Sequence, residues 1–260
     1  HYSIPESFGA KLDILWLRPE NDFLPDLEEL ESMLRPNTKL VVLNNPNNPT
    51  GALLMGPNLE EFVAVVRTSG AYILCDEVYR GTNQVGNGFA PAMADIYEKG
   101  ISVSSMSKVF SLAGIRLGWI AAPREVLEAV SIRRDYNTIS VGMIDDYFAS
   151  LALENKEKII GRSQKITRGN LKILDDWVSK EHSISYKKPQ AGTTALLKYD
   201  FDIPSREFCI QLLRETGVMF TPGSVMEMEG WLRIGYANSP EVLSQGLDLV
   251  SNFLSRMGSR

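Results

Sequence analysis

Histidine is almost missing from this sequence: 260 residues contain two, His1 and His182, and one of them is the first residue. A two-histidine metal centre or a Ser-His-Asp triad has almost no material to work with, so proton transfer must fall to another group. No metal site is expected. Cysteine is as scarce. Cys75 and Cys209 lie far apart, and Cys75 sits in the apolar run Tyr72-Ile73-Leu74-Cys75, so two buried free thiols are expected rather than a disulfide. No apolar run approaches the roughly 18 residues of a membrane-spanning helix, and no charged-then-apolar leader precedes the first expected strand. The chain reads as soluble and cytoplasmic. Basic charge is dispersed: 27 Lys and Arg stand against 32 Asp and Glu, a net charge of −5, and no basic cluster exceeds Arg133-Arg134 or Lys187-Lys188. Nucleic acid and anionic membrane are therefore not expected partners.

What is present is a globular composition, 44% hydrophobic and 23% charged, long enough to bury a sizeable core as one large domain or one and a half. Short apolar runs alternate with amphipathic segments from the N-terminus, the pattern of βα repeats on a largely parallel sheet. Strands are expected at Asp13 to Leu17, Lys39 to Leu43, Tyr72 to Cys75, Ile101 to Ser104 and Gly118 to Ala121. A helix from Asp26 to Leu34 is capped by Asp26, carries Glu28 and Glu29 at its positive end and stops before Pro36. A second, from Asn58 to about Thr68, places Leu59, Phe62, Val63 and Val66 on one face and closes at Gly70. Around Ile144 the character changes, and one long polar-amphipathic helical stretch is expected to run to about Ser179. Beyond it, strands at Ser183 to Lys187, Leu196 to Tyr199, Val218 to Thr221 and Leu232 to Tyr236, with helices at Ser205 to Thr216 and Pro240 to Leu254, form a smaller α+β unit. Ser239 suits the cap of the last helix.

Four stretches carry polar residues at the ends of expected strands, where functional loops of such sheets lie. They are Asn44-Asn45-Pro46-Asn47-Asn48-Pro49-Thr50-Gly51, Asp76-Glu77-Val78-Tyr79-Arg80, Ser104 to Lys108 with Gly114-Ile115-Arg116-Leu117-Gly118-Trp119, and Trp231-Leu232-Arg233-Ile234-Gly235. Singly, each has a plain explanation as a turn, a helix cap or a solvated charge. Their order, spacing and position are together far more specific. The chain resembles the class I/II aminotransferases of the aspartate aminotransferase superfamily. The family's Asn-Pro-Thr-Gly stands at Asn48 to Gly51, its Asp-x-x-Tyr at Asp76 to Tyr79, its Ser-x-Ser-Lys with Gly-x-Arg-x-Gly at Ser105 to Gly118, and its C-terminal Arg at Arg233.

The resemblance implies an α/β chain with the pyridoxal-phosphate-dependent transferase fold type I. Residues 1–150 would form the large cofactor-binding domain, with a mostly parallel sheet, and residues 151–260 an interdomain helix and a small C-terminal α+β domain. About one hundred family residues would precede His1, so the large domain is expected to be partial, and the family's phosphate turn and ring-stacking aromatic fall outside the sequence. The implied cofactor is pyridoxal 5′-phosphate. Lys108 would form a Schiff base with it and act as the acid/base, which answers the shortage of histidine. Asp76 would pair with the pyridine nitrogen, and Tyr79 and Asn48 with the ring's phenolate oxygen. Ser105, Arg116 and, more weakly, Ser107 would take the phosphate. Arg233 would grip the substrate α-carboxylate, the competing role being an ion pair with Glu227 or Glu229, and Asn48 would share in substrate binding. Catalysis would thus rest on Lys108, Asp76 and Tyr79.

The implied reaction moves an amino group between an L-amino acid and a 2-oxo acid in a homodimer. The same residues would serve a C–S lyase or a cyclising or replacement amino-acid synthase, and the same fold an effector domain of a transcription regulator. Arg133, Arg134, Asp135, Tyr136 and Asn137 follow an expected helix and either read a substrate side chain or form a solvated turn.

Overall fold

A computed structural model describes residues 3–257. The chain divides into two compact units. The first comprises the chain up to Pro46, Ala52–Arg80 and Phe89–Lys156; the second comprises Asn47–Gly51, Gly81–Gly88 and the chain from Glu157 onward.

The first unit begins with a short helix α1 (Ser3–Ser7) and continues through α2 (Leu27–Met33), β1 (Leu40–Asn44), α3 (Pro57–Ser69), β2 (Tyr72–Asp76), α4 (Met93–Ile96), β3 (Gly100–Ser105), β4 (Gly118–Ala121), α5 (Arg124–Arg134) and α6 (Met143–Glu154). The Asp26 side chain caps α2 by accepting the Glu29 N–H at 3.0 Å. Pro57 opens α3, where a missing N–H costs nothing, and Gly70, at φ 68°, ends it with its N–H on the Arg67 carbonyl. The buried face of α3 is Leu59, Phe62, Val63 and Val66, and it packs with Ile73, Cys75, Met93 and Tyr97 into one core. The sheet has the order β1-β2-β3-β4. β1, β2 and β3 run parallel, and β4 returns antiparallel to β3. A mostly parallel sheet is what the sequence leads one to expect.

Asp13 to Leu17 differs from expectation: no strand forms there. Leu15 still packs against the core of α3, and Asp13 pairs with Arg35 at 3.1 Å, so the apolar run reflects packing without a ladder. Both cysteines are buried and free, and burial pushes the Cys75 thiol well above its ordinary range.

The second unit contains α7 (Lys156–Val178, from its second residue), β5 (Ile184–Tyr186), β6 (Thr194–Tyr199), α8 (Ser205–Thr216), β7 (Thr221–Pro222), β8 (Trp231–Gly235) and α9 (Pro240–Met257). Its sheet, β5-β6-β8-β7, is antiparallel throughout. Leu171 and Leu174 of α7, Leu197 and Tyr199 of β6, Phe208 of α8 and Phe253 of α9 share its core. The Phe208 ring stacks on Tyr199 with centroids 4.9 Å apart and meets Phe253 edge-on at 5.4 Å. Ser239 Oγ accepts the Val242 N–H at 3.3 Å at the head of α9.

The expected single helix from Ile144 to Ser179 is two helices. The chain leaves the helical region at Asn155, whose Nδ2 donates to the Leu151 carbonyl at 2.9 Å. An Asn at a helix end satisfies a terminal carbonyl that the next turn does not. The polar face of α7 also has partners. Gln164 Nε2 donates to the Gly81 and Asn87 carbonyls, each at 3.0 Å, and Arg168 donates to the Asn83 and Gly86 carbonyls. These bonds, with Gly192 N–H on Thr82 Oγ1 at 2.7 Å, explain why residues 81–88 belong to the second unit. The segment 47–51 is held through Gly51, whose carbonyl accepts the Gln190 and Ala191 N–H groups. At φ 71° and with a would-be Cβ only 2.5 Å from Pro189 Cβ, this position admits only glycine. The strand expected at Val218 to Thr221 shrinks to Thr221–Pro222.

Candidate active site

In the first unit the chemistry-bearing residues gather at the carboxyl ends of β2 and β3. β2 has a parallel neighbour on each side, and Asp76, its last residue, stands opposite Asn44 of β1 and Val103 of β3. Asp76 Oδ1 accepts the Val78 N–H at 3.1 Å, and the Asp76 carbonyl takes Asn44 Nδ2 at 2.9 Å and the Asn45 N–H at 3.0 Å. The carboxylate is thus fixed to the turn that it opens. Three residues on, Tyr79 is buried at 3% exposure. The Lys108 Nζ lies 5.6 Å from the Tyr79 ring centroid, within cation–π range. Lys108 is exposed.

The segment from Ser105 to Gly118 joins antiparallel strands, and Ser105 pairs with Gly118 across them. The Met106 N–H reaches the Leu117 carbonyl and the Leu112 N–H the Met106 carbonyl, each at 3.0 Å, which closes the loop on itself. Ser105 Oγ accepts the Ser107 N–H at 3.2 Å. Arg116 occupies the left-handed region at φ 48° and donates from Nη1 to the Ala113 carbonyl at 2.6 Å. Its side chain is exposed. The fold therefore places Lys108 beside Tyr79, on the same closed loop that carries Ser105, Ser107 and Arg116.

Arg233 and Asn48 lie in the second unit and meet there, Arg233 Nη1 standing 3.5 Å from Asn48 Oδ1. Arg233 Nη2 donates to Thr221 Oγ1 at 3.2 Å, a pairing set by the β7–β8 register, in which Thr221 and Arg233 are direct partners. The Glu229 carboxylate takes the Ser205 and Gly230 N–H groups and the Tyr199 hydroxyl instead, which holds it below the ordinary carboxylate range. Arg233 thus faces a hydroxyl and an amide oxygen.

Two residues escaped sequence reasoning. Thr221 contacts Arg233 through a register that no local pattern announces. Glu77 sits inside the Asp76-to-Arg80 stretch yet is buried at 4% exposure; an acidic residue after a strand gives no local sign of burial. Burial raises its pKa despite bonds from the Met93 N–H and the Ser102 hydroxyl. Arg133 and Arg134, expected to follow a helix, are the last turn of α5. Among the described residues no group of three or more His, Cys, Asp or Glu is placed to hold a metal ion, and no helix is long and apolar enough to cross a membrane.

The sequence profile described as aminotransferase class I and II matches residues 1–248. Capreomycidine synthase of Streptomyces vinaceus is 30% identical over 247 residues, covering 95% of this chain and 63% of the synthase. Aspartate aminotransferase of Thermotoga maritima is 28% identical over 250 residues, covering 95% of this chain and 64% of that enzyme. The chain thus spans somewhat under two thirds of these relatives. The crystal structure of a PLP-dependent aminotransferase from Streptococcus suis superposes with a TM-score of 0.95 at 43% identity, over 98% of this chain and 68% of that one.

Proposed function

The chain belongs to the aminotransferase class I and II family, whose members use pyridoxal 5′-phosphate, and from that premise we propose that the protein moves an amino group between an L-amino acid and a 2-oxo acid. The observation that carries this reading is Lys108. Its amine has no hydrogen bond or ion pair among the described residues, and it lies over the buried Tyr79 ring at 5.6 Å on the loop that leaves β3.

The donor set suits the cofactor. A carboxylate, a phenol, two hydroxyls, a guanidinium and an amine stand at two adjacent strand ends and the loop beyond them, matching in kind a pyridinium, a phenolate, a phosphate and an aldehyde. When bound, pyridoxal 5′-phosphate supplies an electron-accepting ring that stabilises negative charge at the substrate Cα. In this proposal the Asp76 carboxylate holds a proton on the ring nitrogen by charge pairing. Tyr79 and Asn48 donate hydrogen bonds to the ring oxygen. Ser105 and the Arg116 guanidinium bind the phosphate, with Ser107 in a lesser part. The Lys108 amine would anchor the cofactor and would serve as the general base that accepts the proton from the substrate Cα. Arg233 orients the amino acid by gripping its α-carboxylate with two parallel N–H bonds, which fixes the direction of the Cα–H bond.

A homodimer is part of the proposal. Ile132, Ile139, Met143, Ile144, Tyr147 and Phe148 of the α5–α6 region are exposed, the kind of apolar surface that protein contacts cover. A second reading is favoured by one observation, that a 30% identical relative is named a synthase rather than an aminotransferase. In that reading the same groups serve elimination, replacement or ring closure.

The test is product analysis on the intact protein with pyridoxal 5′-phosphate and a panel of L-amino acids, one turnover at a time. The proposal expects one 2-oxo acid per active site and no free ammonia. Ammonia, or a rearranged amino acid, would favour the second reading, and no conversion of any amino acid would overturn both.

A further inference from the structure

A carboxylate that the proposed reaction does not use lies beside one that it does. Glu77 follows Asp76 directly, and successive side chains of an extended chain point to opposite faces. Burying a carboxylate is costly unless donors surround it, and the donors here come from three places. Glu77 Oε1 accepts the Met93 N–H at 2.7 Å from the first residue of α4 and the Ser102 hydroxyl at 2.6 Å from β3. Glu77 Oε2 faces Arg80 Nε at 4.0 Å. Ser102 Oγ in turn accepts the Ala94 N–H at 3.0 Å. The Glu77 main chain is tied as firmly: its N–H reaches the Val103 carbonyl at 2.8 Å, and its carbonyl takes the Arg80 N–H at 2.8 Å and the Ser104 hydroxyl at 3.3 Å.

All these bonds converge on the turn that carries Asp76 on one side and Tyr79 on the other. We propose that Glu77 is a positioning residue: its carboxylate clamps the strand-end turn to β3 and α4, and so sets where Asp76 and Tyr79 present their polar atoms. This inference rests on the reading of Asp76 and Tyr79 as cofactor contacts. The clamp acts through the backbone of residues 76–80. Removing it would leave the Met93 N–H and the Ser102 hydroxyl without their acceptor and release the turn, with no group that touches the reactants lost.

The test compares intact wild-type protein with Glu77→Ala, Glu77→Gln and Ser102→Ala. It measures pyridoxal 5′-phosphate affinity, visible circular dichroism of the bound cofactor, kcat, KM and melting temperature in the same preparations. Glu77→Ala is expected to weaken cofactor binding, change the visible dichroism and lower kcat roughly ten- to a hundred-fold with little change in KM, since a small misplacement of reacting groups has effects of that order. Glu77→Gln keeps an oxygen acceptor for both donors and should restore most of the dichroism and kcat. Ser102→Ala leaves the carboxylate in place and should give the same changes at smaller size; it carries the test if Glu77→Ala does not fold. Wild-type dichroism and kcat in a folded Glu77→Ala, or in Ser102→Ala where Glu77→Ala fails to fold, overturn the proposal. Loss of melting temperature with cofactor affinity and dichroism unchanged overturns it as well. A wild-type protein that shows no visible cofactor signal defeats the reading of Asp76 and Tyr79 and the clamp with it, an outcome plain before any variant is made.

Discussion

In the second unit β6 buries Ala195, Leu197 and Tyr199, and α8 and α9 each send several residues into the same core. In the first unit β4 leaves all four of its residues exposed, and α5 buries none. The first unit's core lies instead on the other flank, where α3 covers β2. The difference separates two tasks that one chain must perform. Burial concentrated in the second unit and under α3 makes those regions the places where volume matters. The ends of β2 and β3 are polar and partly open, the cost a fold accepts where chemistry is done. Stability and turnover should therefore respond to different substitutions.

The largest effect is expected at Lys108. Lys108→Ala removes the amine that the proposed reaction uses as anchor and base. The variant should melt as wild type does but lose at least about a thousand-fold in kcat, on the scale of a lost general base in an enzyme. It should also lack the visible absorbance of covalently held cofactor. Retention of that absorbance would remove Lys108 from its proposed place and erase the contrast. On the other side, Phe208→Ala empties a fully buried position between Tyr199 and Phe253. A loss of about 3–5 kcal/mol is expected from the vacated volume. Val130→Ala on α5, at 39% exposure, should stay within about 0.5 kcal/mol. Denaturant unfolding of the two variants checks the pair, and equal losses would mean that α5 is packed in solution after all.

Much of this contrast was legible in the residues. The apolar spacing of Leu59, Phe62, Val63 and Val66 marked α3, and the same signal placed α8 from Ser205 to Thr216. Asp76, Lys108 and Arg233 stood out because their motifs fall at strand ends in a fixed order. What was hidden depended on partners distant in sequence. Asp13 to Leu17 is a short apolar run of the kind a strand has, but such a run cannot say whether a neighbouring strand exists. The break at Asn155 has no Gly or Pro to announce it. Residues 81–88 join the second unit through bonds from Gln164 and Arg168, about eighty residues further on. The contact of Thr221 with Arg233 follows from strand register, and the burial of Glu77 from the placement of α4 and β3 around it.

The smallest effect sharpens the comparison from the second unit's side. Cys209 and Tyr199 share its core, and burial is the main reason both hold their protons longer than usual. The Cys209 thiol is pushed from 9.0 to about 11 and the Tyr199 phenol from 10.0 to about 12, the nearby Glu229 carboxylate adding to both. Raised values in the fold mean that the unfolded chain gives up these protons first as the solution turns alkaline. Their contribution to stability is therefore whole below about pH 9, fades as pH rises toward 12, and gives a falling melting temperature over that window. Tyr199→Phe removes the phenol and leaves the ring on Phe208. It should lower stability modestly at neutral pH, since the hydroxyl also donates to the Ile203 carbonyl at 2.6 Å and such a bond contributes about 1 kcal/mol. Above pH 10 its melting temperature should fall less steeply than that of wild type. Parallel curves from pH 10 to 12 would mean that the phenol ionises as freely in the fold as outside it, and that the core around Phe208 is more open to water than its packing indicates.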